Sequence, residues 1–129
     1  MLMKDERFFK TIKNFLEIYL LKQKNYSKNT QKSYRESLSL LLQYFKEELG
    51  LGYAQIGFDD LTYTNVCGFL DWLTVSRECS PQTVNLRLMA IRSFAKYSSI
   101  VDPAKIYFQV ELANVPVKKA HGKVVEFMS

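Results

Sequence analysis

Apolar side chains recur along this chain at three- and four-residue steps, and nearly every such stretch opens on a residue suited to cap a helix. Phe8, Ile12, Phe15, Leu16 and Tyr19 form the first stripe, on a helix expected from Glu6 to about Lys24. Tyr34, Leu38, Leu41, Leu42, Phe45 and Leu49 form the second, on a helix starting at Ser27 and running to about Leu49, where Gly50 stops it. Thr62 caps a third helix, with Leu61 able to staple onto Val66, and Val66, Phe69, Leu70 and Leu73 make its apolar side beside Trp72. Ser80-Pro81 opens a fourth, to about Ser99, with proline in the favoured first position. Asp102-Pro103 gives the same signal for a short fifth helix through about Leu112. No run is convincing as a strand. The pattern predicts an all-α fold, a compact bundle of four to five helices.

With 129 residues, 47% of them hydrophobic, the chain can bury one real core but not two. Its longest apolar run, Leu38 to Leu42, is broken by Ser39 and is far too short to span a membrane. The opening residues lack the order of a signal peptide, so the cytoplasm is the expected compartment. Cys67 and Cys79 are not at a metal-ligand spacing, and the lone His121 cannot complete a zinc site with them. No metal and no cofactor is expected, and Cys67 is expected to be a small core residue. Helical periodicity fades beyond Ala113. Residues 1–114 are therefore expected to form the helical domain, and 115–129, with Lys118, Lys119, His121 and Lys123, an extended basic linker.

Charge is unevenly spread. Between Gly52 and Cys79 the charged residues are Asp59, Asp60, Asp71, Arg77 and Glu78, net negative. Between Ser80 and Val101 they are Arg87, Arg92 and Lys96, with no acid. A basic face of this kind can bind a polyanion while the rest of the surface stays acidic.

Two segments open alike. One runs Ser27-Lys-Asn-Thr-Gln-Lys-Ser-Tyr-Arg35; the other begins Ser80-Pro-Gln-Thr-Val-Asn-Leu-Arg87. Each combines a capping serine with hydroxyl, amide and basic side chains around free backbone N–H groups at a positive dipole end, a combination that suits phosphate oxygens. On a helical wheel Lys28, Lys32 and Arg35 cluster away from the apolar stripe of the second helix. On the fourth helix Val84, Leu88, Ile91 and Ala95 face inward, while Gln82, Asn85, Arg92, Ser93 and Lys96 share a polar sector with Met89. Arg87 lies on the edge of Thr83 and is expected to reach outward near the helix start. Arginine and lysine neutralise phosphates, and asparagine, glutamine and arginine can pair with base edges. A solvated helix face is the plain alternative for the same residues.

The chain resembles the N-terminal core-binding domain, a SAM-like domain, of the tyrosine recombinases, the phage integrase family. The resemblance is carried by Phe15-Leu16-x-x-Tyr19, by Ser27-x-Asn29-Thr30-x-x-x-Tyr34, and by Leu61-Thr62 with Phe69-Leu70-x-Trp72-Leu73. It continues through Ser80-x-x-Thr83-Val84-Asn85-x-Arg87-Leu88-x-Ala90-Ile91-Arg92-Ser93-Phe94 to Asp102-Pro103. It implies a domain that grips one face of a recombination-site duplex, with the helices from Ser27 and Ser80 against the major groove. Carried over by position, Thr30, Lys32, Tyr34, Arg35, Thr83, Arg87 and Arg92 become DNA contacts, though Tyr34 also fits the buried stripe. Leu86 stands where many relatives carry a basic residue. With the polar residues of the two wheels, the candidate DNA-binding set is Lys28, Asn29, Thr30, Lys32, Arg35, Gln82, Thr83, Asn85, Arg87, Arg92 and Lys96.

The family's chemistry is attack of a tyrosine hydroxyl on the scissile phosphate, supported by an arginine pair and a His-x-x-Arg element. His121 is followed by Gly-Lys-Val, so this chain lacks that element, and it is expected to be a fragment without catalysis of its own. The implied partners are double-stranded DNA and other recombinase protomers, as a tetramer on paired sites in the full-length protein, at the nucleoid. The first and fifth helices are the candidates for protomer contacts. The competing reading is a helical protein-interaction module whose exposed aromatics would be Tyr53, Phe58, Tyr107 and Phe108. A third, an enzyme built on Asp59, Asp60 or His121, has no motif to support it.

Overall fold

Capping chemistry sets where the first four α-helices begin. The computed structural model describes residues 3–23 and 26–119. Asp5 starts α1 (Glu6–Asn14), its Oδ1 accepting from the Phe8 N–H at 3.2 Å. Ser27 starts α2 (Lys28–Leu49), Thr62 starts α3 (Tyr63–Val75), and Ser80 starts α4 (Pro81–Val101). In each, the hydroxyl oxygen accepts from the backbone N–H three residues on, satisfying one of the orphan donors of the first turn. A single 3-10 turn, Pro103–Lys105, leads into α5 (Ile106–Ala113). Two further 3-10 turns, Tyr53–Gln55 and Phe58–Asp60, shape the connection between α2 and α3. No strand occurs among the described residues, so the fold is all-α, as expected.

Two glycines have conformational reasons to be there. Gly50 adopts φ 67°, the left-handed conformation that ends α2 while the Leu51 N–H returns to the Phe45 carbonyl at 2.9 Å. A Cβ at Gly57 would lie 2.9 Å from Cβ of Asp5, whose second oxygen accepts from the Phe58 N–H at 3.0 Å. The α1 cap and the interhelical loop are thereby held against each other.

The first helix departs from its expected spacing. After Asn14 it continues as a π-helical stretch, Phe15–Gln23. The wider turn places Phe15 and Leu20, five residues apart, in the core, whereas Tyr19 is only half-buried. A regular helix would have put Tyr19 on the inner stripe. The other stripes match more closely: Leu38, Leu41 and Phe45 of α2, Val66, Phe69, Leu70 and Leu73 of α3, and Val84, Leu88, Ile91 and Ala95 of α4 are all buried. Leu49 is the exception, exposed at the last turn of α2.

The core is an aromatic network centred on Phe94. Its ring lies 5.5 Å from that of Phe15, 6.0 Å from Phe8 and 6.2 Å from Phe58, and Phe58 in turn meets Phe108 edge-on at 5.5 Å. Phe15 also stacks on Tyr34 at 6.0 Å, which brings α2 into the same network. On the other side of α2, Tyr44 joins Phe69 and Trp72 of α3. Two aromatics expected on the surface are therefore inside: Phe58 and Phe108 are 4% and 0% exposed, because the 3-10 turn and α5 fold them onto Phe94. Tyr53 and Tyr107 are exposed.

Truncating the hub should cost what a buried phenylalanine costs. Phe94→Ala is expected to lower the unfolding free energy by about 3–5 kcal/mol, and Val110→Ala, on the exposed side of α5, by no more than about 0.5 kcal/mol. Urea titration followed by far-UV circular dichroism measures both.

Candidate nucleic-acid interface

The two serine-led segments, similar in sequence, are built alike. Each serine hydroxyl accepts from the threonine N–H three residues later, at 3.2 Å in both, and each also bonds that threonine's own hydroxyl, at 3.1 Å in α2 and 3.2 Å in α4. Thr30 and Thr83 are thus tied into their caps. Around them Lys28, Asn29, Lys32, Arg35 and Gln82 are exposed.

α2 and α4 pack directly against each other. The Tyr34 and Ser93 hydroxyls approach to 3.4 Å, which supports the structural role for Tyr34. Arg87 makes a second bridge and corrects an expectation. It does not reach outward; its Nη1 turns back to donate to the Ser33 carbonyl at 3.3 Å and to the Ser37 hydroxyl at 3.1 Å. Ser37, a fully buried polar residue, itself donates to the Ser33 carbonyl at 2.8 Å. The stripe analysis could not see this, because the acceptors belong to another helix.

The remaining α4 candidates divide onto a different side. Asn85 and Arg92 face α5 and the chain that leaves it. Asn85 forms a two-point amide pair with Lys118: its Nδ2 donates to the Lys118 carbonyl at 2.9 Å and its Oδ1 accepts from the Lys118 N–H at 2.7 Å. Arg92 donates from Nε to the Leu112 carbonyl at 3.3 Å and from Nη2 to the carbonyls of Ala113 and Val115. The Leu112 carbonyl, which also accepts from the Val115 N–H at 3.2 Å, and the Ala113 carbonyl lie at the C-terminal end of α5, where a cation is favoured by both hydrogen bonding and the helix dipole. Lys118 reaches Asp71 of α3 at 3.0 Å, and Val115 is buried. Residues 115–119 are non-helical, and Val115 and Lys118 are bonded to side chains of α4. The rest of the expected linker, with His121 and Lys123, lies outside the described residues. Lys96 is exposed and stands between the two sides, lining both the groove toward Gln109 of α5 and the small cavity beside Tyr19 and Tyr26.

One basic residue was missed by the sequence reading. Arg77, in the loop between α3 and α4, lies over the Trp72 ring at 5.3 Å from its centroid. Its sequence neighbours are acidic, so it was counted with the net-negative stretch; only the fold carries it toward α2 and α4. Asp59 and Asp60, the carboxylates of the enzyme reading, have a structural task. Asp59 and Asp60 both pair with Lys4, at 2.8 and 3.3 Å, and the hydrogen bond to Asp59 holds the Lys4 ammonium above its ordinary pKa against the opposing effect of its burial. Asp60 also accepts from the Gly57 N–H at 2.9 Å. Among the described residues no group of three or more His, Cys, Asp or Glu side chains could hold a metal ion, and Cys67 and Cys79 are both free thiols. No helix among them is long and apolar enough to cross a membrane.

Residues 12–99, covering the last turns of α1 and everything through most of α4, match the family model of the phage integrase N-terminal SAM-like domain. The chain belongs to that family. This integrase domain is also 30% identical over 118 residues to y4rD and 26% identical over 118 residues to y4rC, two Sinorhizobium fredii proteins named as integrase/recombinases. Each alignment takes in 92% of the chain but only 42% and 36% of those proteins, so the domain spans less than half the length of these relatives. No solved structure matches it significantly.

The α4 clamp on the outgoing chain is directly measurable. Arg92→Ala is expected to destabilise the domain by about 1.5–3 kcal/mol, the range for hydrogen bonds made by a charged group. Asn85→Ala should leave global stability nearly unchanged while speeding hydrogen exchange of the Lys118 amide by about fivefold, equivalent to about 1 kcal/mol. Denaturant titration and amide exchange by NMR read the two effects separately.

Proposed function

We propose that this domain binds double-stranded DNA and serves as the N-terminal grip of a site-specific recombinase acting in DNA integration or recombination. One observation carries the reading beyond family membership. Among the described residues every ion pair is made by Lys4, Arg7 or Lys118, and none by a cation of α2 or α4. Lys28, Lys32 and Arg35 stand exposed beside the α2 cap with no carboxylate paired to them. Lys28 and Lys32 lie in the first turns of α2, beside the Ser27-capped start with its free N–H groups, an arrangement that favours a phosphate backbone.

The contact face so defined takes Lys28, Asn29, Thr30, Lys32 and Arg35 from α2, with Gln82, Thr83 and Arg87 from α4. Lys96 flanks it. Asn85 and Arg92 are spent on the outgoing chain, so their contribution to DNA is to fix where the following segment departs. In the whole recombinase, catalysis belongs to the part of the protein beyond this chain, and the domain itself contributes binding and orientation. Protomer contacts on paired sites fall to the exposed apolar side of α5, where Ile106, Tyr107 and Val110 are each at least half exposed. The competing reading, a protein-interaction module without nucleic acid, predicts no salt-dependent duplex binding.

Fluorescence anisotropy of a short labelled duplex, titrated with the domain at several salt concentrations, tests this. Log affinity should fall linearly with log salt, by about 0.9 for each phosphate contacted, and the paired charge reversal Lys28→Glu/Lys32→Glu should make the slope shallower by about 1.8 with helicity unchanged. Absence of binding at low salt would overturn the proposal.

A further inference from the structure

A basin of about 450 Å³ lies where α2, the α3–α4 loop and α4 meet, and three arginines line it: Arg35, Arg77 and Arg87. We propose that this basin seats one phosphodiester group of the DNA backbone, with Arg77 as its principal and so far unassigned contact; the inference rests on the DNA-binding reading above and adds a site and a residue to it. Three observations lead there. The first is electrostatic. Three permanent cations converge on one open space, and none of them has an ion-pair partner among the described residues. Glu36 also lines the basin but pairs with none of them. Three arginines against one carboxylate leave the basin net positive, which favours an anion there.

The second is that two of the guanidinium groups are held in place. Arg77 is laid on the Trp72 ring, and Arg87 is fixed by Nη1 to Ser33 and Ser37. Only Nη1 of Arg87 is used in this way: its Nε is sealed from solvent, and among the described residues no acceptor meets its Nη2, which is the donor left for an anion. A planar guanidinium anchored at one edge keeps its other donors pre-arranged for a tetrahedral oxyanion. The third is backbone strain. Glu78, directly after Arg77, adopts φ 54°, a left-handed conformation that a residue with a side chain takes at a cost. That residue turns the chain from α3 into the Ser80 cap and leaves Arg77 at the rim of the basin.

The remaining lining, Ser39 and Leu40, offers no amide to read a base edge. The seat should therefore add affinity equally on every sequence. The experiment is salt-dependent anisotropy of the 129-residue chain and its Arg77→Ala and Arg77→Lys variants on two duplexes of unrelated sequence, with circular dichroism to show that all three are folded. Arg77→Ala is expected to weaken binding about tenfold on both duplexes and to make the log–log salt slope shallower by about 0.9; Arg77→Lys should keep the slope and lose only part of the affinity. If wild type binds and Arg77→Ala leaves slope and affinity unchanged, the phosphate seat is wrong and the DNA-binding reading stands. A loss confined to one duplex would make Arg77 a base-reading residue and equally overturn the seat. If wild type binds neither duplex, both fall together.

Discussion

Burial of Phe94 is the constraint on which the rest of the structure depends. It projects from the middle of α4 into a cage of Phe8, Phe15 and Phe58, with Phe108 one ring further out, so α1, the π-helical stretch, the interhelical turn and α5 are all positioned against one side chain. Aromatic pairs of this edge-on and offset kind add about 0.5–1.5 kcal/mol each beyond their area burial, and they also fix orientation, because only certain ring angles are favourable. The apolar core thus determines how α4 is rotated about its own axis. That rotation decides which polar residues of α4 face α2 and which face α5.

Once α4 is fixed, its two polar edges do different work. Toward α2 it presents Arg87 and Ser93, which bond Ser33, Ser37 and Tyr34 and keep the two capped helix starts in a constant relation. Toward α5 it presents Asn85 and Arg92, which bond the backbone of Lys118 and the carbonyls of Leu112, Ala113 and Val115. A surface that must meet a rigid, periodic partner benefits from the first arrangement. A domain that must pass its chain to a neighbour in a defined direction benefits from the second. Neither requires α4 to be unusual as a helix; both follow from its being the element that the others pack upon.

What was legible in the sequence follows the range of the interaction concerned. The caps at Ser27, Thr62 and Ser80 and the stop at Gly50 were readable because a cap is closed by residues three or four apart. The apolar stripes were readable for the same reason. The π-helical turn at Phe15 was not, since its gain, the burial of Leu20, is paid by tertiary packing and leaves no local signature. Phe58 and Phe108 sit in weakly periodic segments, so nothing nearby announced that Phe94 would cover them. The exposure of Lys28, Lys32, Arg35 and Gln82 follows from their placement on the wheels, away from the apolar stripes. The fates of Arg87, Arg92 and Asn85 were not legible, because each side chain finds its partner 20 or more residues away.

Arg77 shows the same limit in electrostatic form. Counting charges along the chain assigns it to an acidic stretch, whereas in the fold three of the four acids are paired elsewhere: Asp59 and Asp60 with Lys4, Asp71 with Lys118. Exposed pairs of this kind add little stability, with a median of about 0–1 kcal/mol, so their value here lies less in holding the fold than in removing negative charge from the neighbourhood of α2 and α4. The potential a polyanion meets is set by the charges left unpaired on one side, and a modest net charge is then compatible with a strongly basic face. The pairing of these acids with Lys4 and Lys118 therefore leaves the cations of α2 and α4 without a carboxylate partner among the described residues. Substituting Lys4 or Lys118 would free those carboxylates and make the potential over α2 and α4 less positive, at a distance and with the screening that salt imposes.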